Sequence, residues 1–283
     1  MSGAPAAWEP TLRELAAGAI SPPVALARLL MSGDPPDTAR LARLAKADPA
    51  AAPLAALASH VRLEKLADLA RSGIDPSGDE IGATRALFDR LAEEAPEPGV
   101  ALYALGDPAL LGAATAELVE VIRNWSPVEG RALLDLGCGI GRVAIALAPD
   151  AREVIGLDLS PNMLAEARAR AAAVPNLRFV EGNGRDLAML ADGSIDLALA
   201  ADSFPFLVRA GPEVMAGMTA EIARVLRPAG DFLVFNWSYR GDVGRDIAEA
   251  YGFAETFGFT VLRAGERPFR LWDGIGFHLR RAV

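Results

Sequence analysis

Residues 133–142 read LLDLGCGIGR: a short apolar run holding Asp135, then glycines at alternate positions, Gly137, Gly139 and Gly141. An apolar run passing straight into glycines is the pattern of a buried strand that turns sharply into a helix. Glycine loops of this kind let the backbone approach a nucleotide or phosphate closely. The dinucleotide pattern G-x-G-x-x-G would place its third glycine where Arg142 stands, one residue beyond Gly141. A phosphate-binding loop would end in Gly-Lys-Ser/Thr, and this one does not. A tight turn with no ligand is the third reading. The residues around the loop have to decide.

Outward from the loop, ALLDL (132–136), VIGLD (154–158), LRFVEG (177–182), SIDLALA (195–201) and FLVFNW (232–237) are short β-prone runs. Helical patterns lie between most of them, at GRVAIALA, PNMLAEARARAAA and PEVMAGMTAEIARVL. Strand alternating with helix at this spacing predicts an α/β fold, a doubly wound and mostly parallel sheet covered on both faces. FTVLRAG and GIGFHLRRA follow each other without a full helix between them. They predict a hairpin at the sheet edge, which brings the count to seven strands with the last one antiparallel.

Up to about residue 127 the texture differs. The chain is rich in Ala and Leu at helical spacing, with stripes at Leu12, Leu15 and Ala16 and at Leu26, Leu29 and Leu30. Asp37 or Thr38 is placed to cap a helix. Val61, Leu63, Leu66 and Leu69 share a helix face, with Gly73 at its C-cap position. Residues 79–95 and 107–125 continue the helical pattern, and APEPG (95–99) reads as a linker. The expected division is an all-helical N-terminal domain over 1–98 and a second domain over 99–283.

Composition narrows the function. The chain has 283 residues, 52% hydrophobic, with a net charge of −9 and no Lys/Arg-rich run, which argues against nucleic acid as a partner. No long uninterrupted apolar stretch predicts a membrane span, and the N-terminus lacks the pattern of a signal peptide. One cysteine, Cys138, excludes an internal disulfide and suits a reducing cytoplasm. Inside the glycine loop it reads as a small filler rather than a nucleophile. The two histidines, His60 and His278, read as structural or solvated, and no metal site is expected.

Two acids give the loop a ligand. Asp135 precedes the glycines, and Asp158 ends the second strand, where a carboxylate can accept both hydroxyls of a ribose. This Asp-x-Gly-x-Gly-x-Gly pattern with its second acid resembles the class I S-adenosylmethionine-dependent methyltransferases. GLDLSPNMLAEARARA is similar to that family's second strand and helix, RFVEGNGRDL to its third strand and adenine loop, and VLRPAGDFLVF to the turn into its fifth strand. The resemblance covers roughly residues 130–283 and implies a Rossmann-like fold with S-adenosylmethionine as cofactor. It implies that Asp135 serves the methionyl amino end, that Gly137, Gly139 and Gly141 line the cofactor, and that Asp158 binds the ribose. Leu159 would pack on the adenine, with Met163 a second candidate. Asn183 and Gly184 stand where an acid and a small residue usually read the adenine edge, and Ala201 would offer its carbonyl to the methionyl ammonium.

The acceptor side is less specified. Ligands of parallel α/β sheets bind beyond the carboxyl ends of the strands, which points to ADSFPFL (201–207) and NWSYR (236–240). Asp202 and Tyr239 are candidate bases or hydrogen-bond partners there, and Phe204, Phe206 and Trp237 are candidate walls. Each also fits a turn or the core. Tyr103 is a candidate from the segment ahead of the first strand. The expected function is methyl transfer to O or N of a small molecule in the cytoplasm. The alternatives are methylation of a protein or peptide side chain, and a cofactor-binding interaction module without catalysis. The helical extension is a candidate surface for a homodimer or for shaping the acceptor pocket.

Overall fold

The computed structural model describes residues 8–32, 34–71 and 79–283. They fall into two compact units. The first comprises the chain up to Gly73 with Glu94–Ala114 and Phe269–Asp273; the second comprises Ile74–Glu93, Thr115–Pro268 and Gly274–Val283.

The first unit is helical, with helices at Trp8–Ala16, Pro22–Leu30, Thr38–Ala47, Ala52–Ala58 and Leu63–Arg71. Trp8, Leu26, Leu29, Leu30, Leu41 and Leu54 are buried in it. Trp8 also spends its polar edge, donating to the Asp34 carbonyl at 3.0 Å, while the Arg40 guanidinium lies 3.9 Å above its ring. Asp37 is the cap: its carboxylate accepts from the Arg40 N–H at 2.6 Å. Leu63 and Leu66 are buried as their spacing requires; the expected cap at Gly73 lies outside the described residues.

One expectation is corrected. APEPG is not an irregular linker: Pro96–Val100 forms a short helix. A proline in the first turn lacks only an N–H that no helix would use, and its ring presets the helical φ. The Pro/Gly composition therefore reads as a break where it is a helix start.

The second unit holds a seven-stranded sheet: β1 (Ala132–Leu136), β2 (Glu153–Asp158), β3 (Leu177–Glu181), β4 (Ile195–Ala201), β5 (Leu226–Phe235), β6 (Phe259–Glu266) and β7 (Gly276–Arg281). The order is β3-β2-β1-β4-β5-β7-β6, and β7 runs antiparallel to both of its neighbours. This is the doubly wound, mostly parallel fold that the strand–helix alternation predicts. β1 is buried at every position, as a central strand covered on both faces must be. The hydrophobic core gathers Leu134, Ile155, Ala198, Phe232, Trp237 and Phe277 among its members.

Two helices of this unit come in addition to the patterns read from the sequence: Phe204–Arg209, immediately after β4, and Val243–Phe257, between β5 and β6. β5 also begins earlier than its apolar stretch. Leu226 pairs with Ile195, the register then jumps so that Asp231 faces Leu197, and Ala229 takes a left-handed φ of 62° inside the bulge.

Because β1 and β4 lie side by side at the centre, their carboxyl ends and those of β2 and β5 meet along one rim. The chain reverses its order of strand addition at β1 and β4. That switch point is where open α/β sheets form a crevice.

Candidate functional site

The glycine loop leaves β1 and is hung on β2. The N–H groups of Gly137 and Cys138 both donate to the Leu157 carbonyl, at 2.7 and 3.0 Å. Gly137, Gly139 and Gly141 all have positive φ, at 73°, 53° and 76°. At Gly137 the need for glycine is also steric, since a Cβ there would stand 2.3 Å from that of Ser203. Ser203 belongs to the loop after β4, and its hydroxyl donates to the Leu136 carbonyl at 2.5 Å. Nothing in the sequence motif marks Ser203; only this contact shows that it braces the loop.

Asp158 ties the loop from the other side. Its Oδ2 accepts from the Gly139 N–H at 2.8 Å, and its Oδ1 accepts from the Ser160 N–H at 2.9 Å. Ser160 caps the helix Pro161–Arg170 through the Met163 N–H and donates its hydroxyl to Asp89 Oδ1 at 2.5 Å. Asp89 lies on the helix Glu80–Glu94, which also reaches Glu181 at the end of β3 through Arg85, at 2.7 Å. Asn162 adds bonds to the Asp89 carbonyl and to Glu93. Sequence reasoning missed this helix as part of the rim because its contacts lie about 70 or more residues away along the chain.

Asp135 is buried on β1, and its Oδ2 has no hydrogen-bond partner among the described residues. Burial pushes its carboxyl up to about 7; Arg142 pulls it down, and the nearby Asp158 pushes it further up. Burial likewise raises Asp158, against the backbone N–H groups of Ser160 and Gly139 that favour its charged form. Burial and the same two acids push the Cys138 thiol well up, which suits a filler and not a nucleophile. The loop thus faces two acids that hold their charge only at a cost, and a cationic ligand would relieve both.

The other sequence candidates divide. Leu159 and Ile81, from the helix Glu80–Glu94, converge on Gly184: a Cβ there would stand 3.0 and 3.1 Å from them. Met163 is fully buried. Asn183 spends its amide oxygen on the backbone of its own turn, accepting from Arg185 and Asp186 at 2.8 and 3.0 Å. Ala201 closes β4 opposite Phe235. Asp202 and Tyr239 are brought together at 2.8 Å. Phe204 and Trp237 are core residues, their rings 4.6 Å apart, whereas Phe206 is only partly buried. Tyr103 lies in the first unit, stacked at 5.6 Å on Trp272. His278 is buried against Asp231 at 2.9 Å, four residues before the end of β5 and in a structural role.

Comparisons with known proteins bear on the domain and its fold. A family profile described as a methyltransferase domain matches residues 134–234, from β1 through β5. The fold is similar to that of the magnesium protoporphyrin IX methyltransferase of Synechocystis, with a TM-score of 0.55 over 74% of this chain and 100% of that one at 18% identity. Residues 134–234 thus match a methyltransferase domain. Among curated relatives, a putative methyltransferase of Bacillus subtilis is 30% identical over 161 residues, 52% of this chain and 63% of that protein. An uncharacterized protein of Mycobacterium tuberculosis is 32% identical over 157 residues, 52% of this chain and 53% of that protein. The chain spans about half the length of the mycobacterial relative that it matches.

Proposed function

We propose that this protein transfers the methyl group of S-adenosylmethionine to an oxygen or nitrogen of a small molecule in the cytoplasm. The observation that carries the reading is the pair of buried acids on either side of the glycine loop: Asp158 bonded to Gly139, and Asp135 with a buried oxygen that has no partner among the described residues. A pyrophosphate would be repelled by two carboxylates. An adenosyl amino acid brings a sulfonium, an ammonium and two ribose hydroxyls, all of which suit them.

The residues present fit that cofactor. Asp135 would hold the methionyl ammonium, and Asp158 the ribose, while it keeps Gly139 in place. Leu159 and Ile81 would wall the adenine beside Gly184. Bound S-adenosylmethionine supplies the electrophilic methyl; the chain positions the acceptor and excludes water. Asn183 has its oxygen engaged, so its part in the adenine pocket is to shape the turn.

Incubation of the full-length protein with methyl-labelled S-adenosylmethionine and a broad acceptor panel tests the activity. Label in a small-molecule product supports it. Label confined to added proteins supports the protein-methylating alternative, and binding without turnover across the panel supports the interaction module.

A further inference from the structure

Three rings and three polar groups meet at the ends of β4 and β5. Phe206 packs edge-on against Phe88 of the helix Glu80–Glu94, with centroids 5.1 Å apart at 75°, and against Tyr239 at 6.0 Å and 87°. The row ends at Asp202, whose Oδ1 accepts from the Tyr239 hydroxyl and from the Asn236 amide, each at 2.8 Å. Asp202 and Asn236 both hold left-handed backbone, with φ of 62° and 69°. Neither is glycine, and strain of this kind persists where the surroundings over-determine it, which is characteristic of ligand sites. Tyr239 is 56% exposed, so this ring faces solvent and not the core.

We propose that this rim is the methyl-acceptor site, and that the acceptor is a planar, largely apolar small molecule bearing a hydroxyl or amino group. Its ring packs on the Phe88–Phe206–Tyr239 row, and its polar group meets the Asp202 carboxylate. The proposal rests on the methyltransferase reading above. Edge-to-face rows extend favourably to a further ring. An anionic acceptor is disfavoured, because the arginines of the two loops are already engaged: Arg209 by Glu80 at 3.5 Å, and Arg240 by Glu249 and Asp246 at 2.5 and 2.6 Å. In the transfer, a lone pair on the acceptor oxygen or nitrogen forms the bond to the methyl carbon. The carbon–sulfur bond breaks with its electrons passing to sulfur, and the acceptor's proton passes to Asp202. Tyr239 and Asn236 fix the carboxylate for that role.

The test begins with calorimetric titration of the full-length protein with S-adenosylhomocysteine; failure to bind overturns the methyltransferase reading and the proposal with it. With that ligand bound, ligand-observed NMR compares 2-naphthol and aniline with cyclohexanol, cyclohexylamine and acetate. Labelled S-adenosylmethionine then ranks the same probes as acceptors. The expected result is binding of the aromatic probes in preference to the others, and for any that are methylated a kcat/KM at least about ten-fold above the aliphatic counterpart. Phe206→Ala should weaken aromatic binding about ten-fold with the affinity for S-adenosylhomocysteine unchanged, and Phe206→Leu serves where the alanine variant does not fold. Asp202→Asn should lower kcat while KM holds. The proposal is overturned, with the methyltransferase reading intact, by three results: equal or better use of aliphatic or anionic probes, no binding of either aromatic probe, or aromatic binding indifferent to Phe206.

Discussion

The backbone N–H of Gly139 donates to Oδ2 of Asp158 at 2.8 Å, joining the turn after β1 to the end of β2. The carboxylate is thereby both the proposed ribose ligand and a strut for the loop that we propose lines the cofactor. Asp158→Ala removes both at once. Hydrogen bonds to a charged group contribute about 1.5–3 kcal/mol, so the affinity for S-adenosylhomocysteine should fall about ten- to hundred-fold, with a lower Tm. Calorimetry and thermal melting check the two effects. Unchanged affinity would remove Asp158 from the cofactor site.

Asp135 makes stability depend on pH in a defined direction. Its folded-state value, about 7, lies above the ordinary 3.8, with burial as the first cause. Below pH 4 the group is protonated in both states and contributes nothing. As pH rises from about 4 to about 7 the unfolded chain ionises first, so stability is lost through that window and the loss is complete above it. Asp135→Asn should therefore stabilise the ligand-free protein at pH 8, by up to ~4 kcal/mol, and hardly at all at pH 4. The same variant should bind S-adenosylhomocysteine more weakly. Urea unfolding at the two pH values measures the difference, and a wild-type-to-variant gap that does not grow with pH contradicts it.

Gly137 is constrained twice, by its φ of 73° and by the Ser203 side chain. Gly137→Ala should cost about 2–3 kcal/mol, about 1–2 of it from left-handed backbone and the rest from the clash. Adding Ser203→Gly removes the atom that is struck, so the double variant should regain part of the lost Tm in spite of losing the Ser203 bond to Leu136. A double variant no more stable than Gly137→Ala would mean that the contact is not what demands glycine.

Asp231 anchors the opposite half of β5. Its burial works against ionisation, but His278, Arg280 and Ser126 donate to it and hold it well below the usual carboxylate range. The stability it contributes is present above the ordinary carboxylate value and is lost only as pH falls through the lowered one. Asp231→Asn should cost ~3 kcal/mol at pH 7 and blunt the loss of stability in acid, with cofactor affinity retained. Chemical unfolding at pH 7 and in acid, with calorimetry, tests this separation of stability from binding.

The sheet was legible because buried parallel strands are apolar throughout and the intervening helices are amphipathic, so ALLDL and VIGLD announce themselves. The glycine turn after β1 was legible for a related reason: left-handed backbone and the close approach of a neighbouring loop impose glycine at fixed positions. Ser203, Asn236 and Asp89 were not. Each acts through a partner far away in sequence, as Asn236 does on Asp202 34 residues away and Asp89 on Ser160 71 residues away, and no local period records such a pair. Pro96 misled for the opposite reason, since a proline marks a helix start as well as a break.

The central claim is that two buried acids and three glycines select an adenosyl cation. Titration of the full-length protein at pH 8 with S-adenosylmethionine, S-adenosylhomocysteine and NAD tests it most directly. The account requires saturable binding of the first two, weakened in Asp135→Asn and in Asp158→Ala, and none of NAD. Binding of NAD alone, or of none of the three, would contradict it.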